Sequence, residues 1–372
     1  MKRLVICCDG TWNSADQMVD GEPCPTNVVR FAYRVAKRDA KGIAQIVYYD
    51  QGVGTGNSLD RLSGGALGKG LEANIHDAYR FLLANYEFGD ELFVLGFSRG
   101  AFTARSLVGM VRKCGILHQK HARHYSAATQ LYCNHEGPND PGPSDFRDKY
   151  CTYGNTDIKV QFIGVWDTVG ALGIPVAGLR WLTNIDKYQF HDTELSSTVV
   201  NACHALAIDE HRGPFLPAIW EAWDKPNQNI QQVWFCGAHS DVGGGYGKTK
   251  VANTSGQVAF NPQLSDISLE WMLGKAQAAG LAFDPDVLAI NPLVIDPLAE
   301  IHDSKTGFYN VAASHDRVIG LSIKAKKPTD ELDTTQTLHP SVLQRWDNDK
   351  KYRPASLKNY FKKIGDPRGE EV

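Results

Sequence analysis

Five consecutive residues carry the strongest chemical signal in the chain: Gly96-Phe97-Ser98-Arg99-Gly100. A serine with a glycine two positions away on each side suits a turn too tight for side chains at the flanking positions. Such a turn presents the hydroxyl as a nucleophile. Serine is a poor nucleophile until a base takes its proton and an acid orients that base. Acids end three apolar runs, at Asp9, Asp167 and Asp241. His239 lies between the last two, and His302, His315 and His339 follow both. With the order serine, acid, histidine, Asp241 with His339 is favoured, while Asp167 with His239 also keeps the acid before the base. The oxyanion formed by attack needs N–H donors. Arg99, directly after the serine, supplies one, and Gly10 or Thr11 supplies the other from the loop Asp9-Gly10-Thr11-Trp12-Asn13.

These residues need elements that deliver them to one place. Apolar runs of strand length cover residues 3–8, 43–49, 91–95, 158–166 and 233–236. Asp9, Ser98, Asp167 and the His239–Asp241 turn each follow such a run, at the end where parallel sheets keep their sites. Three- and four-residue spacing predicts helices through Val28 and Val35, Leu71 and Tyr86, and Ala101 and Lys113. It also predicts a helix face at Leu195, Val199, Ala202, Cys203 and Leu206, with His204 a structural residue beside it, and a helix capped by Ser265 and ended by Gly280. The alternation predicts an α/β fold, a mostly parallel central sheet with helices on both faces. One domain is expected over 1–372, with helical insertions at about 117–156 and 171–192 and a cap at 281–335. His118, His121, His124 and His135 fall in the first insertion and read as polar surface, since no thiolate or carboxylate pattern accompanies them. Residues 173–190 suit a lid, a lipid-facing segment or a packed crossover. Glycines at 52, 54 and 56 suit a loop over the site, because the lysine and hydroxyl of a phosphate-binding loop are missing.

Composition narrows the class. With 42% hydrophobic and 22% charged residues over 372 positions, the chain has the make-up of an ordinary enzyme. A net charge of −3 argues against nucleic acid as a partner. The N-terminal apolar run is too short for a cleaved signal, and no run reaches the ~18 residues of a membrane span. Cys7, Cys8, Cys203 and Cys236 sit in apolar segments, as small buried residues of a reducing compartment do. A chain cytoplasmic as synthesised is expected, with export by a route needing no cleaved signal left open.

Five motifs occur together in order: residues 8–13, the elbow with Phe102 and Arg105, Val165-Trp166-Asp167-Thr168-Val169-Gly170, His239-Ser240-Asp241-Val242-Gly243-Gly244-Gly245-Tyr246, and His339-Pro340-Ser341-Val342. The set resembles the α/β-hydrolase family that includes the type VI secretion phospholipase effectors, the Tle1-like catalytic domain, over about residues 2–360. The resemblance implies an α/β-hydrolase fold and a serine esterase acting on lipid or phospholipid esters without a cofactor. It implies Ser98 as nucleophile, Asp241 as acid and His339 as base, with Asp9, Asp167 and His239 as supporting pocket residues. It implies an ester substrate and contact with a membrane surface, and leaves room for an immunity or delivery partner. Two rival readings keep the same residues. One is a metal-dependent phosphohydrolase using Asp9, Asp167, His239 and Asp241. The other is a non-catalytic binding protein on the same fold.

Overall fold

β-Branched and aromatic residues in unbroken apolar runs make buried parallel strands, and that is how the central sheet is built. In the computed structural model, which describes residues 1–10, 13–19, 21–52, 64–154, 158–169, 195–221, 227–247, 250–252, 258–260, 262–305, 314–324 and 327–365, seven strands form one sheet. Numbered along the chain they are β1 Arg3–Cys8, β2 Gln45–Asp50, β3 Glu91–Phe97, β4 Val160–Trp166, β5 Val199–Ala207, β6 Asn229–Phe235 and β7 Gln336–Leu338. Their spatial order is β7-β6-β5-β4-β3-β1-β2, with every pairing parallel. All seven carboxyl ends therefore lie along one edge of the sheet.

The helices are α1 Asn27–Ala32, α2 Gly64–Asn85, α3 Arg99–Cys114, α4 Tyr125–Cys133, α5 Pro141–Tyr150, α6 His239–Gly243, α7 Leu264–Ala278, α8 Pro285–Ile290, α9 Pro340–Asn348 and α10 Ala355–Ile364. They cover both faces, as the two-residue period of the strands requires. Leu4, Ile6 and Cys8 of β1 join Leu92 and Val94 against Tyr79 of α2 and Leu107 and Met110 of α3. Val5 and Cys7 join Phe93, Leu95 and Phe97 against Phe31 of α1, Met272 of α7 and Trp346 of α9. The α/β-hydrolase architecture expected from the sequence is thus the one observed.

One element differs from expectation. Residues 199–207 form a strand, not a helix, pairing with β4 on one side and β6 on the other. A strand buried on both faces is apolar at nearly every position, so three- and four-residue spacing appears in it by accident. His204 lies inside this strand, fully buried. It accepts the Thr168 N–H at Nε2 (3.1 Å) and meets Trp220 edge-on. Burial pushes its pKa down to about 3, a structural residue as expected.

The segment 117–156 carries α4 and α5. It is tied to α3 by Arg147, which donates to the Lys113 carbonyl (2.8 Å), and by Lys113, whose Nζ donates to the Asn134 carbonyl (2.8 Å). The rings of His118, His121 and His124 meet in series, edge-on and tilted, and His124 stacks on Tyr150. The expected lid at 173–190 and most of the glycine-rich loop lie outside the described residues. Within 281–335, α8 and a hairpin of residues 321–324 and 327–332 are present. Among the described residues no helix is long and apolar enough to cross a membrane.

Candidate active site

Ser98 sits between β3 and α3 with φ +57° and ψ −123°. Its backbone N–H donates to the Trp166 carbonyl at the end of the neighbouring strand (3.0 Å). The flanking glycines have a steric reason. A Cβ on Gly96 would lie 2.5 Å from the Gly100 carbonyl oxygen, and one on Gly100 would lie 2.3 Å from the carbonyl oxygens of both Cys8 and Asp9. These neighbours are backbone and cannot yield, so the turn closes against β1 only without side chains. Ser98 and Asp167 are the two non-glycine residues with positive φ among the described residues, and they end adjacent strands. Such conformations cost about 1–3 kcal/mol each and survive where surrounding structure over-determines them.

Asp167 follows β4 with φ +40° and is fully buried. Its Oδ2 lies 2.6 Å from Nδ1 of His239, which opens α6 after β6. Arg317 grips the same carboxylate with both terminal nitrogens, Nη2 at 2.9 Å from Oδ2, and also donates to the carbonyls of Ala207 (2.8 Å) and Phe215 (2.6 Å). The Ala207 N–H donates to Oδ1 at 3.0 Å. Burial alone would raise the Asp167 pKa, but the Arg317 charge and the His239 hydrogen bond outweigh it and hold the carboxyl well below its ordinary range. An ionised Asp167 accepts the Nδ1 proton and leaves Nε2 of neutral His239 as the basic nitrogen. The ring is set between Phe97 (centroids 4.6 Å apart) and Phe215 (5.0 Å, edge-on). Burial lowers the His239 pKa, against the pull of Asp167. Glu210 completes the surroundings, accepting the His239 backbone N–H (3.3 Å), the Ser304 hydroxyl (2.9 Å) and two nitrogens of Arg212 (2.9 and 2.8 Å).

The pairing of Asp241 with His339 is not the one this geometry makes. Asp241 Oδ1 meets His302 Nδ1 at 2.6 Å, and Oδ2 accepts the backbone N–H groups of Ala238 (2.9 Å) and His302 (3.0 Å). His339 precedes α9 as its N-terminal cap. Its Nδ1 lies 2.8 Å from the Ser341 hydroxyl and accepts the Ser341 N–H (3.3 Å), and its ring stacks on Phe235. Burial pushes its pKa down to about 4 with no carboxylate to oppose it. A histidine before Pro-Ser is here a helix cap, for the same reason serine or asparagine serves at such positions.

The oxyanion donors divide. Arg99 is the first residue of α3, directly after the serine. The Gly10 N–H donates to Asp9 Oδ1 (2.7 Å), so it serves that carboxylate. Thr11 lies outside the described residues. Asp9 is buried and also receives the hydroxyls of Thr26 (2.9 and 2.8 Å) and Tyr49 (2.8 Å); burial pushes its pKa up to about 6 despite these donors. Of the four residues of the metal reading, Asp167 and His239 pair with each other, while Asp9 and Asp241 have other partners. Among the described residues no group of three or more His, Cys, Asp or Glu is placed to hold a metal ion.

Arg317 and Glu210 were not singled out from the sequence as parts of a site, and His302 was named only as one of three histidines following both acids. Each lies outside a periodic element and no motif marks it. The signal available was charge: Arg317 stands just before the apolar pair Val318-Ile319, and a buried arginine needs a buried acid.

Comparison with known proteins gives this geometry a family. The model of the type VI secretion phospholipase effector Tle1-like catalytic domain matches residues 2–275. An uncharacterized Saccharomyces cerevisiae protein, YEL023C, is 29% identical over 235 residues, 58% of this chain and 32% of the yeast protein. This chain therefore matches about a third of that relative's length. A crystal structure of an uncharacterized protein from Pseudomonas aeruginosa is similar with a TM-score of 0.49 at 18% identity, over 77% of this chain and 48% of that one. The structure of the Tle1 effector bound to the VgrG spike from the type VI secretion system aligns with a TM-score of 0.44 at 17% identity, over 78% of this chain and 76% of that one. With the family model spanning most of the chain, from β1 into α7, the protein belongs to the type VI secretion phospholipase effector Tle1-like catalytic-domain family.

Proposed function

We propose that this chain is a serine hydrolase that cleaves carboxylic esters of lipids through Ser98, His239 and Asp167. Family membership supports a hydrolase acting on lipids. The observation that carries the chemistry is the 2.6 Å contact between Asp167 and His239 Nδ1, at strand ends on the same edge of the sheet as the elbow. In this reading His239 Nε2 takes the Ser98 proton as Oγ attacks the ester carbonyl. The imidazolium is stabilised by Asp167, and the Arg99 N–H at the start of α3 holds the oxyanion. The same imidazolium then protonates the departing alcohol. Water, deprotonated by His239, releases the acyl group and restores the serine. Thr11 is the candidate for a second oxyanion donor, given that the Gly10 N–H is engaged. A phospholipid substrate, export, and a delivery partner such as the VgrG spike of the Tle1 effector follow from the family and are part of the proposal.

A fluorophosphonate probe tests the chemistry. It should label Ser98 in the intact chain, fail on Ser98→Ala, and react slowly with His239→Ala. No labelling of a folded wild-type chain would return the non-catalytic reading. Chelator-sensitive ester hydrolysis surviving in Ser98→Ala would return the metal one.

A further inference from the structure

Thr26 is fully buried just before α1 and belongs to none of the five motifs in the sequence. Its Oγ1 accepts the Val29 N–H (3.4 Å) as the N-terminal cap of that helix. A cap needs only an acceptor. The hydroxyl also donates, to a carboxylate: Oγ1 lies 2.9 and 2.8 Å from the two oxygens of Asp9. One side chain thus does two things, and α1 requires only the first.

Both ends of this bond reach the proposed site. Asp9 stands against the elbow, where Gly100 closes on its carbonyl oxygen, and a Cβ on the next residue, Gly10, would lie 3.3 Å from Ser98 Cβ. On the other side, the backbone of Thr26 forms an antiparallel bridge with Gly244, which ends α6. The approach is close: a Cβ on Gly244 would lie 2.7 Å from the Asn27 nitrogen and 3.0 Å from Thr26 Cα. The buried Asn27 side chain continues the grip, its Nδ2 donating to the Val242 carbonyl (3.0 Å). α6 has five residues. A helix that short has no stability of its own, so its direction is set by what it packs on. Asp167 and Glu210 hold its first residue, His239, and Phe97 packs on the His239 ring. Thr26 and Asn27 hold its far end.

We infer that Thr26 is a positioning residue for the proposed reaction, joining the nucleophile to the base. Its hydroxyl fastens it to Asp9 beside Ser98, and its backbone fixes the end of α6, so His239 keeps its place relative to the serine. The effect passes through His239, and the inference rests on the reading of that residue as the base.

Thr26→Val keeps the volume and removes the hydroxyl, while Thr26→Ser keeps the hydroxyl. The test is the rate at which a fluorophosphonate labels Ser98 in the full chain, measured over a range of probe concentrations. Thr26→Val should lower the limiting rate by about 10–10²-fold at an unchanged half-saturating concentration, and Thr26→Ser should stay within about threefold of wild type. In a His239→Ala background, Thr26→Val should cost no more than about twofold, because the residue it acts through is gone. An unchanged rate in folded Thr26→Val, an equal loss in Thr26→Ser, or the full loss repeated on top of His239→Ala overturns the inference. Amide hydrogen exchange gives a readout without activity. The Val242 and Gly244 N–H groups, which donate to the Ala238 and Ser240 carbonyls, should exchange at least about tenfold faster in Thr26→Val than in Thr26→Ser. Equal exchange in the two variants overturns the inference. If the wild type takes no label while these amides loosen in Thr26→Val, the hydrolase reading fails and the tie between Thr26 and α6 stands. Should Thr26→Val fail to fold, Tyr49→Phe removes the other hydroxyl from Asp9 (2.8 Å) and loosens the same anchor. It should slow labelling about threefold in the wild-type background and not at all in His239→Ala, and no slowing in the first overturns the inference.

Discussion

Two carboxylate–histidine pairs meet on α6, and they are built alike. In each, a histidine Nδ1 lies 2.6 Å from a carboxylate oxygen brought from far along the chain, Asp167 to His239 and Asp241 to His302. Their surroundings differ. The first pair is sealed, between Phe97 and Phe215, and Arg317 neutralises its carboxylate. The second is half open, its carboxylate met by backbone N–H groups and its ring facing a cavity. The His239 pKa is lowered while the His302 pKa is raised. One hydrogen bond of one length thus goes with a lowered pKa in one place and a raised one in the other, because desolvation decides the first and the carboxylate decides the second. The two also respond to acid with opposite sign. Native His239 binds its proton less readily than in the unfolded chain, so its contribution to stability falls as pH drops below the ordinary value near 6.5. His302 does the reverse: its contribution is complete below that value and is lost as pH rises through its raised pKa.

The largest test of this contrast is kinetic. Ser98→Ala and His239→Ala should each slow single-turnover acylation by roughly 10³–10⁶-fold, and together by no more than the worse single change. His302→Gln and His339→Ala should stay within about tenfold of wild type on a neutral ester, since neither acts on the serine in this reading. If His339→Ala is as slow as His239→Ala, with circular dichroism unchanged, the assignment of the base is overturned.

Next comes Arg317. Its charge offsets that of Asp167, so Arg317→Gln should favour protonation of the Asp167–His239 pair and move the acid limb of kcat/KM to higher pH. The rate should fall about 10²-fold as the carboxylate loses its clamp. Arg317→Lys keeps the charge without the two-pronged grip and should leave the limb closer to wild type while still losing rate. An unmoved limb in Arg317→Gln would make the residue structural only.

A smaller effect concerns the wild type. Because the His239 pKa is lowered, the acid limb for a neutral ester should have its midpoint below 6.5, and His302→Gln should not move it. A midpoint above 6.5 that vanishes in His302→Gln would exchange the roles of the two pairs.

The smallest effects are on stability. His302→Gln should cost roughly 1 kcal/mol by denaturant titration near pH 5.5, a value discounted for its partial exposure, and less as pH rises. His339→Ala should cost about 1 kcal/mol near pH 8, the usual loss of a cap, and less as pH falls below about 6.5, because its native pKa is lowered to about 4. A His302→Gln cost that grows with pH would contradict its raised pKa.

The sequence allowed some of this to be read and hid the rest for physical reasons. The elbow was legible because its signature lies within five residues and two adjoining elements, although β1 and β4 also close on it. Asp167, His239 and Asp241 were legible as strand-end residues, but their partners were not. Partnership depends on sheet order, and nothing local says that β4 lies beside β3 with β6 two strands further on. Chain order admitted both pairings and favoured the one the structure does not make. His339 caps α9 in the structure, and a cap and a base look alike in one dimension. The strand at 199–207 was misread because a core position is apolar in any element. Arg317 and His302 act from loops, where no period exists to reveal a role.

The backbone at Ser98 and Asp167 has a consequence for how such a fold changes over time. Both residues hold positive φ, a region glycine enters freely and other residues enter at a cost. Each position therefore sets activity against robustness: Ser98→Gly or Asp167→Gly would relieve local strain while abolishing the proposed chemistry, and Ser98→Gly in particular, which unpairs no buried charge, should melt at a higher temperature than Ser98→Ala. A lineage no longer selected for hydrolysis would drift downhill toward glycine at the elbow. Glycine in place of Ser98 in an otherwise intact relative would then mark a chain whose fold has outlived its reaction.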